Sequence, residues 1–198
     1  MTKNIHPIFD NMLDRKAKEG LLKQHALVIW MTGLSGSGKS TLARGLEKKL
    51  HHEGLLTKLL DGDNLRTGLN KNLGFSEEDR LENIRRVAET AKLFLENGVV
   101  TICSFVSPTL ALRNMAREII GEDDFLEVFI DASFDECTKR DVKGLYKKAL
   151  KGEIKDFTGL DAPFDMPETP FLAIDTEKLT IDESADLLYQ KVIKKIIK

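Results

Sequence analysis

Residues 33 to 40 read Gly33-Leu34-Ser35-Gly36-Ser37-Gly38-Lys39-Ser40, with Thr41 next, and they fill the pattern G-x-x-x-x-G-K-[ST] at every fixed position. Each residue type has a chemical reason. Gly33, Gly36 and Gly38 leave backbone N–H groups bare, so the chain can curl round a polyphosphate, and the positive end of a following helix adds to the attraction. The Lys39 ammonium can then reach β- and γ-phosphates, and the Ser40 hydroxyl can complete a Mg²⁺ shell. Such a loop serves the binding of a nucleoside triphosphate, with ATP and Mg²⁺ as the expected pair.

The loop works only if a buried strand delivers it and a helix receives it. Ala26 to Met31 is an unbroken apolar run of the kind that makes a strand covered on both faces. From Lys39 to Glu53, Leu42, Leu46 and Leu50 recur at four-residue spacing, one stripe of an amphipathic helix that Gly54 closes. The alternation continues with strands expected over 55–60, 99–105, 125–130 and 171–174. Between them the sequence predicts a helix from Ser76 to about Asn97, one from Ser107-Pro108 to about Ile120 with Ser107 as its cap, and one over 133–141. A last helix runs from Asp182, capped by Thr180 with Glu183 three residues on.

This order predicts an α/β, three-layer fold of the P-loop nucleoside-triphosphate-hydrolase type: a mostly parallel five-stranded sheet with helices on both faces. Ligands gather at the carboxyl ends of such strands. Asp61-Gly62-Asp63-Asn64-Leu65-Arg66 after strand two, Val106 and Ser107 after strand three and Asp131 after strand four should therefore face the phosphate loop. Residues 142–170 break the rhythm with glycines, prolines and lysines, and read as an unpatterned lid loop. Phosphoryl transfer needs one, because water in an open site would take the γ-phosphate.

At 198 residues the chain fits one domain, residues 1–198. Thirty basic and 32 acidic residues leave a net charge of −2 with no basic stripe, which argues against a nucleic-acid partner. The Lys191 to Lys198 segment alternates Lys with Val and Ile, as the solvated face of a last helix would. No apolar run reaches membrane-spanning length and no leader is apparent, so the expectation is a cytoplasmic protein without a membrane partner. Cys103 and Cys137 suit a reducing compartment and lack metal-site spacing, and Cys103 falls in a strand run that should be core.

The phosphate loop does not by itself choose among GTPases, motor ATPases and small-molecule kinases. No Asn-Lys-x-Asp base-reading segment follows a strand, and strand three ends in Ser104-Phe105-Val106-Ser107 rather than Asp-Glu. In their place stand Arg66, Arg80, Arg85, Arg86 and Asn83, a set suited to a small anionic acceptor. Arg85 and Arg86 read as solvated helix charges.

L-D-G-D-N-L-R, then N-L-G-F-S-E-E-D-R-L-E-N-I-R-R, F-V-S-P, R-D-V-K-G-L-Y, F-T-G-L-D-A-P-F and D-T follow in order from about Leu27 to Thr176. This series resembles the adenylylsulfate kinases. The resemblance implies ATP-dependent phosphorylation of the 3′-hydroxyl of adenosine 5′-phosphosulfate, giving ADP and 3′-phosphoadenosine 5′-phosphosulfate. It implies that Asp61 is the metal-linked and catalytic aspartate and that Asp63, Asn64 and Arg66 contact the sulfated nucleotide. Phe75 and Phe164 match an aromatic pair that sandwiches the acceptor adenine, Arg80 and Asn83 match acceptor-binding residues, and Lys143 matches a lid lysine. Val106 and Ser107 match the lining of the acceptor pocket. Ser107 also falls where the family is described as carrying a phosphoserine intermediate, although direct transfer to a hydroxyl needs no covalent stage. The family further implies a homodimer and leaves association with ATP sulfurylase open. Asn72, where Asp is usual, and Thr169-Pro170-Phe171 depart from the pattern, and the first 25 residues match loosely. Two rivals stay open on sequence alone: a kinase of the same fold acting on a nucleoside, sugar or polyol acid, and a silent nucleotide-sensing domain.

Overall fold

A computed structural model describes residues 4–197. Its sheet is built from β1 (Val28–Thr32), β2 (Thr57–Asp61), β3 (Val100–Ser104), β4 (Phe125–Asp131) and β5 (Leu172–Asp175) in the order β2-β3-β1-β4-β5. Every pairing is parallel, a stricter result than the mostly parallel sheet expected. The unbroken apolar runs explain it: β1 and β3 are buried along their whole length, and both faces must be covered by crossover helices.

The described residues form eight α-helices, α1 (Arg15–Leu22), α2 (Lys39–His52), α3 (Gly62–Arg66), α4 (Glu77–Glu96), α5 (Leu110–Ile120), α6 (Phe134–Arg140), α7 (Leu145–Leu150) and α8 (Ile181–Ile196), of which α2 and α8 cover one face of the sheet and α4 and α5 the other. Because strand side chains alternate, β1 feeds two cores at once. Ile29 and Met31 join Leu42, Leu46 and Leu50 of α2 and Leu188 and Val192 of α8 on one face. Val28 and Trp30 join Ile84, Val87 and Ala91 of α4 and Leu112 and Ala116 of α5 on the other, with Cys103 buried as expected. Each Leu, Ile, Val or Met buried there is worth about 1.5–3 kcal/mol, so the strand carrying the phosphate loop is held from both sides.

Helix ends follow the sequence signals except at one place. Ser76, Ser133 and Thr180 cap α4, α6 and α8, and the Thr180–Glu183 capping box is complete. At α5 the cap is Thr109, whose side chain accepts from the Leu112 N–H, and not Ser107. Ser107 instead sits at φ +42°, a left-handed turn residue two places before the cap.

Two short helices correct the sequence reading. Asp61 caps α3, five residues too short for any periodic signal. Within the interval taken as an unpatterned lid, α7 buries Tyr146 and Ala149. Tyr146 meets Phe134 and Phe157 edge to face, at centroid distances of 5.3 and 4.9 Å, so this lid has a small core of its own. The N-terminal α1, unanticipated, is tied to the far end of the sheet by Arg15, which bonds Asp124 at 2.6 and 2.8 Å and the Ala26 carbonyl at 2.6 Å.

Candidate functional site

The phosphate loop leaves β1 and enters α2 where the motif requires. At Gly33, φ is +147° and a Cβ would sit 2.4 Å from the Ile130 carbonyl oxygen, so only glycine fits between β1 and β4. Gly38, at φ +103°, opens α2. Lys39 is buried, and its ammonium donates back to the carbonyls of Gly33 at 2.9 Å and Leu34 at 2.7 Å. Burial pushes the Lys39 pKa down to about 8.

β2 brings Asp61 alongside. The Ser40 hydroxyl donates to Asp61 Oδ2 at 2.7 Å, with Ser104 Oγ 3.4 Å away, while Asp61 Oδ1 accepts from the Asp63 N–H at 3.1 Å. The set is all oxygen, one of them anionic, which is the donor chemistry of Mg²⁺ with water and phosphate completing its shell. Among the described residues no three His, Cys, Asp or Glu side chains cluster to hold an ion without such help.

The loop is also fastened from behind by residues not singled out in the sequence reading. Tyr146 donates its hydroxyl to the Ser35 carbonyl at 2.7 Å. Arg140 bonds Thr176 at Oγ1 and at its carbonyl, 3.0 and 2.9 Å, and reaches the Gly36 carbonyl at 3.5 Å. Thr176 Oγ1 lies 3.0 Å from the carbonyls of both Ser37 and Asp131. Arg140, Tyr146 and Thr176 all stood within the family-like motifs, so the signal existed without a stated role.

At the strand ends, Asp61, Val106 and Asp131 lie at the phosphate loop as expected, whereas Arg66 bonds the Leu73 and Gly74 carbonyls and Asp63 pairs with Lys143. Asp61 touches Ser40, the Val106 carbonyl accepts from Thr32 Oγ1 at 2.7 Å and lies 3.5 Å from the Gly33 N–H, and Asp131 shares Thr176 with the loop. Ser107 is buried, its Oγ accepting from Trp30 Nε1 at 3.1 Å. Its left-handed backbone costs about 1–2 kcal/mol for a non-glycine residue, strain of a kind that collects at functional turns.

On the acceptor side, Arg66 donates to the carbonyls of Leu73 and Gly74 at 3.0 and 2.9 Å and stacks 4.2 Å from the centre of the Phe75 ring. Burial, with Arg80 nearby, holds the Arg66 pKa below its ordinary value. Arg80 reaches from α4 to the lid, bonding Thr158 Oγ1 at 2.9 Å and the Asp156 carbonyl at 2.5 Å. Asn83 is buried and accepts from Asn70 Nδ2 at 3.0 Å. Lys143 pairs with Asp63, linking lid to α3, while Asn64 stands exposed on α3. Phe164 is half-buried, stacked on Phe129 at 6.0 Å, and lines a cavity of about 610 Å³ with Leu34, Asp131 and Phe134.

Phe75 is 64% exposed and takes no part in that cavity, so the two aromatics are not gathered round one space here. Arg85 and Arg86 pair with Glu82 on their own helix, as solvated helix charges do. Arg86 also bonds Asn72 Oδ1 at 2.9 Å, which gives the unusual asparagine a partner.

A glycine-lined phosphate loop on the central strand of a parallel sheet, an aspartate on its serine and a capped lid define a P-loop kinase. Residues 25–175 match the family model described as adenylylsulphate kinase. The adenylyl-sulfate kinase of Bacteroides thetaiotaomicron is 60% identical over 195 residues, covering 98% of this chain and 97% of its own. That of Bacteroides fragilis is 58% identical over 193 residues, 98% of this chain and 96% of its own. The Mycobacterium tuberculosis APS kinase CysC, solved in complex with AMPPNP and APS, superposes with a TM-score of 0.82 at 43% identity, covering 85% of this chain and 98% of that one. The chain belongs to the adenylylsulphate kinase family.

Proposed function

We propose that this chain transfers the γ-phosphoryl group of ATP to the 3′-hydroxyl of adenosine 5′-phosphosulfate, giving ADP and 3′-phosphoadenosine 5′-phosphosulfate. The observation that carries the reading is the 2.7 Å contact between Ser40 and Asp61, which puts a carboxylate at the lip of the phosphate loop and at the head of α3. From there Asp61 can accept the proton of an incoming hydroxyl, with Arg66 of α3 and Arg80 and Asn83 of α4 assigned to the acceptor.

Residues 33–41 cradle the triphosphate with backbone N–H groups. Lys39 swings from the Gly33 and Leu34 carbonyls onto the β- and γ-phosphates, where it meets charge rather than dipoles. Ser40 and Asp61 would hold Mg²⁺, which supplies neutralisation of charge on the β–γ bridge. Arg66 and Arg80 hold the sulfate-phosphate end of the acceptor, Asp63, Asn64 and Asn83 orient its sugar, and Val106 and Ser107 form the floor. Phe164 stacks on one face of the adenine and Phe75 swings in to cover the other. Lys143 exchanges Asp63 for the acceptor as residues 142–170 close. With both substrates in line, positioning and charge stabilisation supply the acceleration, and Ser107 need carry no phosphate.

The reading extends to a cytoplasmic homodimer. Among the described residues no helix is long and apolar enough to cross a membrane. Light scattering on the purified chain tests the dimer. The reaction itself is tested by following ADP release from Mg·ATP with and without adenosine 5′-phosphosulfate and identifying the 3′-phosphorylated product. Turnover that requires the sulfated nucleotide is expected. Turnover with AMP or a sugar instead would refute the acceptor.

A further inference from the structure

A buried arginine outside the site just described touches three of the elements that build it. Arg113 on α5 is fully buried. Its Nε meets Glu127 Oε1 of β4 at 2.8 Å. Its Nη1 donates to the Ser107 carbonyl at 3.0 Å and lies 3.3 Å from that of Pro108, while Nη2 donates to the Asp165 carbonyl at 2.8 Å. The guanidinium carbon is 6.0 Å from the centre of the Phe164 ring.

Burying a charge for stability alone is a poor arrangement, since apolar residues of similar volume commonly do as well. What a planar cation with five donors can do, and an apolar side chain cannot, is fix several carbonyls at once in a set geometry. Here those carbonyls belong to the strained turn after β3 and to the root of the lid. Asp165 strengthens the link, donating its N–H to the Pro108 carbonyl at 2.8 Å and accepting from the Leu110 N–H at 2.9 Å. Lid root and acceptor turn are thus one hydrogen-bonded unit around Arg113.

We propose that Arg113 is a positioning residue for the acceptor: it sets the Phe164 ring against the Ser107 turn, so that the aromatic grip and the pocket floor keep a fixed separation. Arg113 touches no substrate itself. The inference rests on the acceptor reading above. It predicts a defect confined to the acceptor, because the phosphate loop is fastened separately by Tyr146, Arg140 and Thr176.

The test is steady-state kinetics of Arg113→Met and Arg113→Lys beside the wild type and Arg117→Met. Arg117 shares Glu127 at 2.7 Å and bonds neither Ser107 nor Asp165, so its loss controls for a stability effect alone. Arg113→Met is expected to raise the KM for adenosine 5′-phosphosulfate about tenfold while the KM for Mg·ATP stays within about twofold, as a misplaced binding wall would. Arg113→Lys, which keeps the charge against Glu127, should recover part of that loss. Arg117→Met should lower the unfolding midpoint and leave both KM values unchanged.

A second readout avoids turnover. Trp30, the only tryptophan in the chain, donates to Ser107 Oγ, and its fluorescence should report acceptor binding at the turn. Equal changes in both KM values, or an unchanged acceptor KM in a folded Arg113→Met chain, would overturn the assignment. Should Arg113→Met not fold, an Arg113→Lys chain with normal acceptor KM and normal Trp30 response would do the same. A wild type inactive with the sulfated nucleotide would instead sink the acceptor reading, and this inference with it.

Discussion

Replacing Lys39 by methionine should destroy activity and, at neutral pH, make the fold more stable. The folded chain holds the Lys39 pKa at about 8 against an ordinary 10.5, because the ammonium is buried. At about 1.4 kcal/mol per unit of pKa, the charged side chain costs the fold roughly 3 kcal/mol below pH 8, where folded and unfolded states both carry the proton. Between pH 8 and 10.5 the folded state releases the proton and the unfolded state keeps it. Stability therefore rises with pH through that window, and above it the cost is gone. Methionine forfeits the two bonds to the Gly33 and Leu34 carbonyls, each about 0.5–1 kcal/mol, leaving a net gain of about 1–2 kcal/mol at pH 7. Urea unfolding followed by Trp30 fluorescence should show this as a midpoint higher by about half to one molar. At pH 10 less than about 1 kcal/mol of the cost survives, and the two curves should nearly coincide. Saturating Mg·ATP should reverse the order at pH 7, since ligand at a hundred times its Kd adds about 2.7 kcal/mol to the wild type and far less to the variant. A variant less stable than wild type at pH 7, or a gain that persisted at pH 10, would refute the assignment of that cost to the buried ammonium.

Asp61→Asn should cut kcat about 10²–10³-fold with nucleotide affinity within about fivefold, separable by ATP titration and single-turnover assay. Gly33→Ala places a Cβ 2.4 Å from the Ile130 oxygen, and calorimetry should find a melting midpoint lower by several degrees together with lost ATP binding. Phe75→Ala, at an exposed position, should leave unfolding within about 0.5 kcal/mol of wild type while raising the acceptor KM. Thr180→Ala removes the hydroxyl that accepts from the Glu183 N–H, leaving the backbone half of the α8 capping box, and should cost about 1 kcal/mol in denaturant unfolding, with kinetics unchanged.

The strands and the long helices were legible because burial on two faces and a four-residue stripe leave marks over many residues. The phosphate loop was legible because it has one solution in residue types. Ser107-Pro108 misled as a helix start: a serine before proline is a cap signal, yet Trp30 engages its hydroxyl from 77 residues away and the cap passes to Thr109. No local pattern reveals such a partner. α3 and α7 escaped because one or two turns carry no period, and α7 is held by Phe134 and Phe157, which neither precede nor follow it closely. Arg113 follows Leu112 on α5 with no local signal to single it out. Its significance lies in Glu127 and Asp165, placed beside it only by the sheet and the lid.

The sheet order has a consequence for how the chain is made. β1 leads the sheet in synthesis but sits at its centre, and Val28 must pair with Thr101 on one side and Phe125 on the other. Both partners lie far downstream, so the loop-closing entropy is spent before any contact repays it. A nascent chain ending before Ile130 owns the whole phosphate loop as letters and lacks the strand against which Gly33 is seated. Nucleotide capture is thus a late event in translation, and ATP can stabilise only chains whose middle strand is already enclosed.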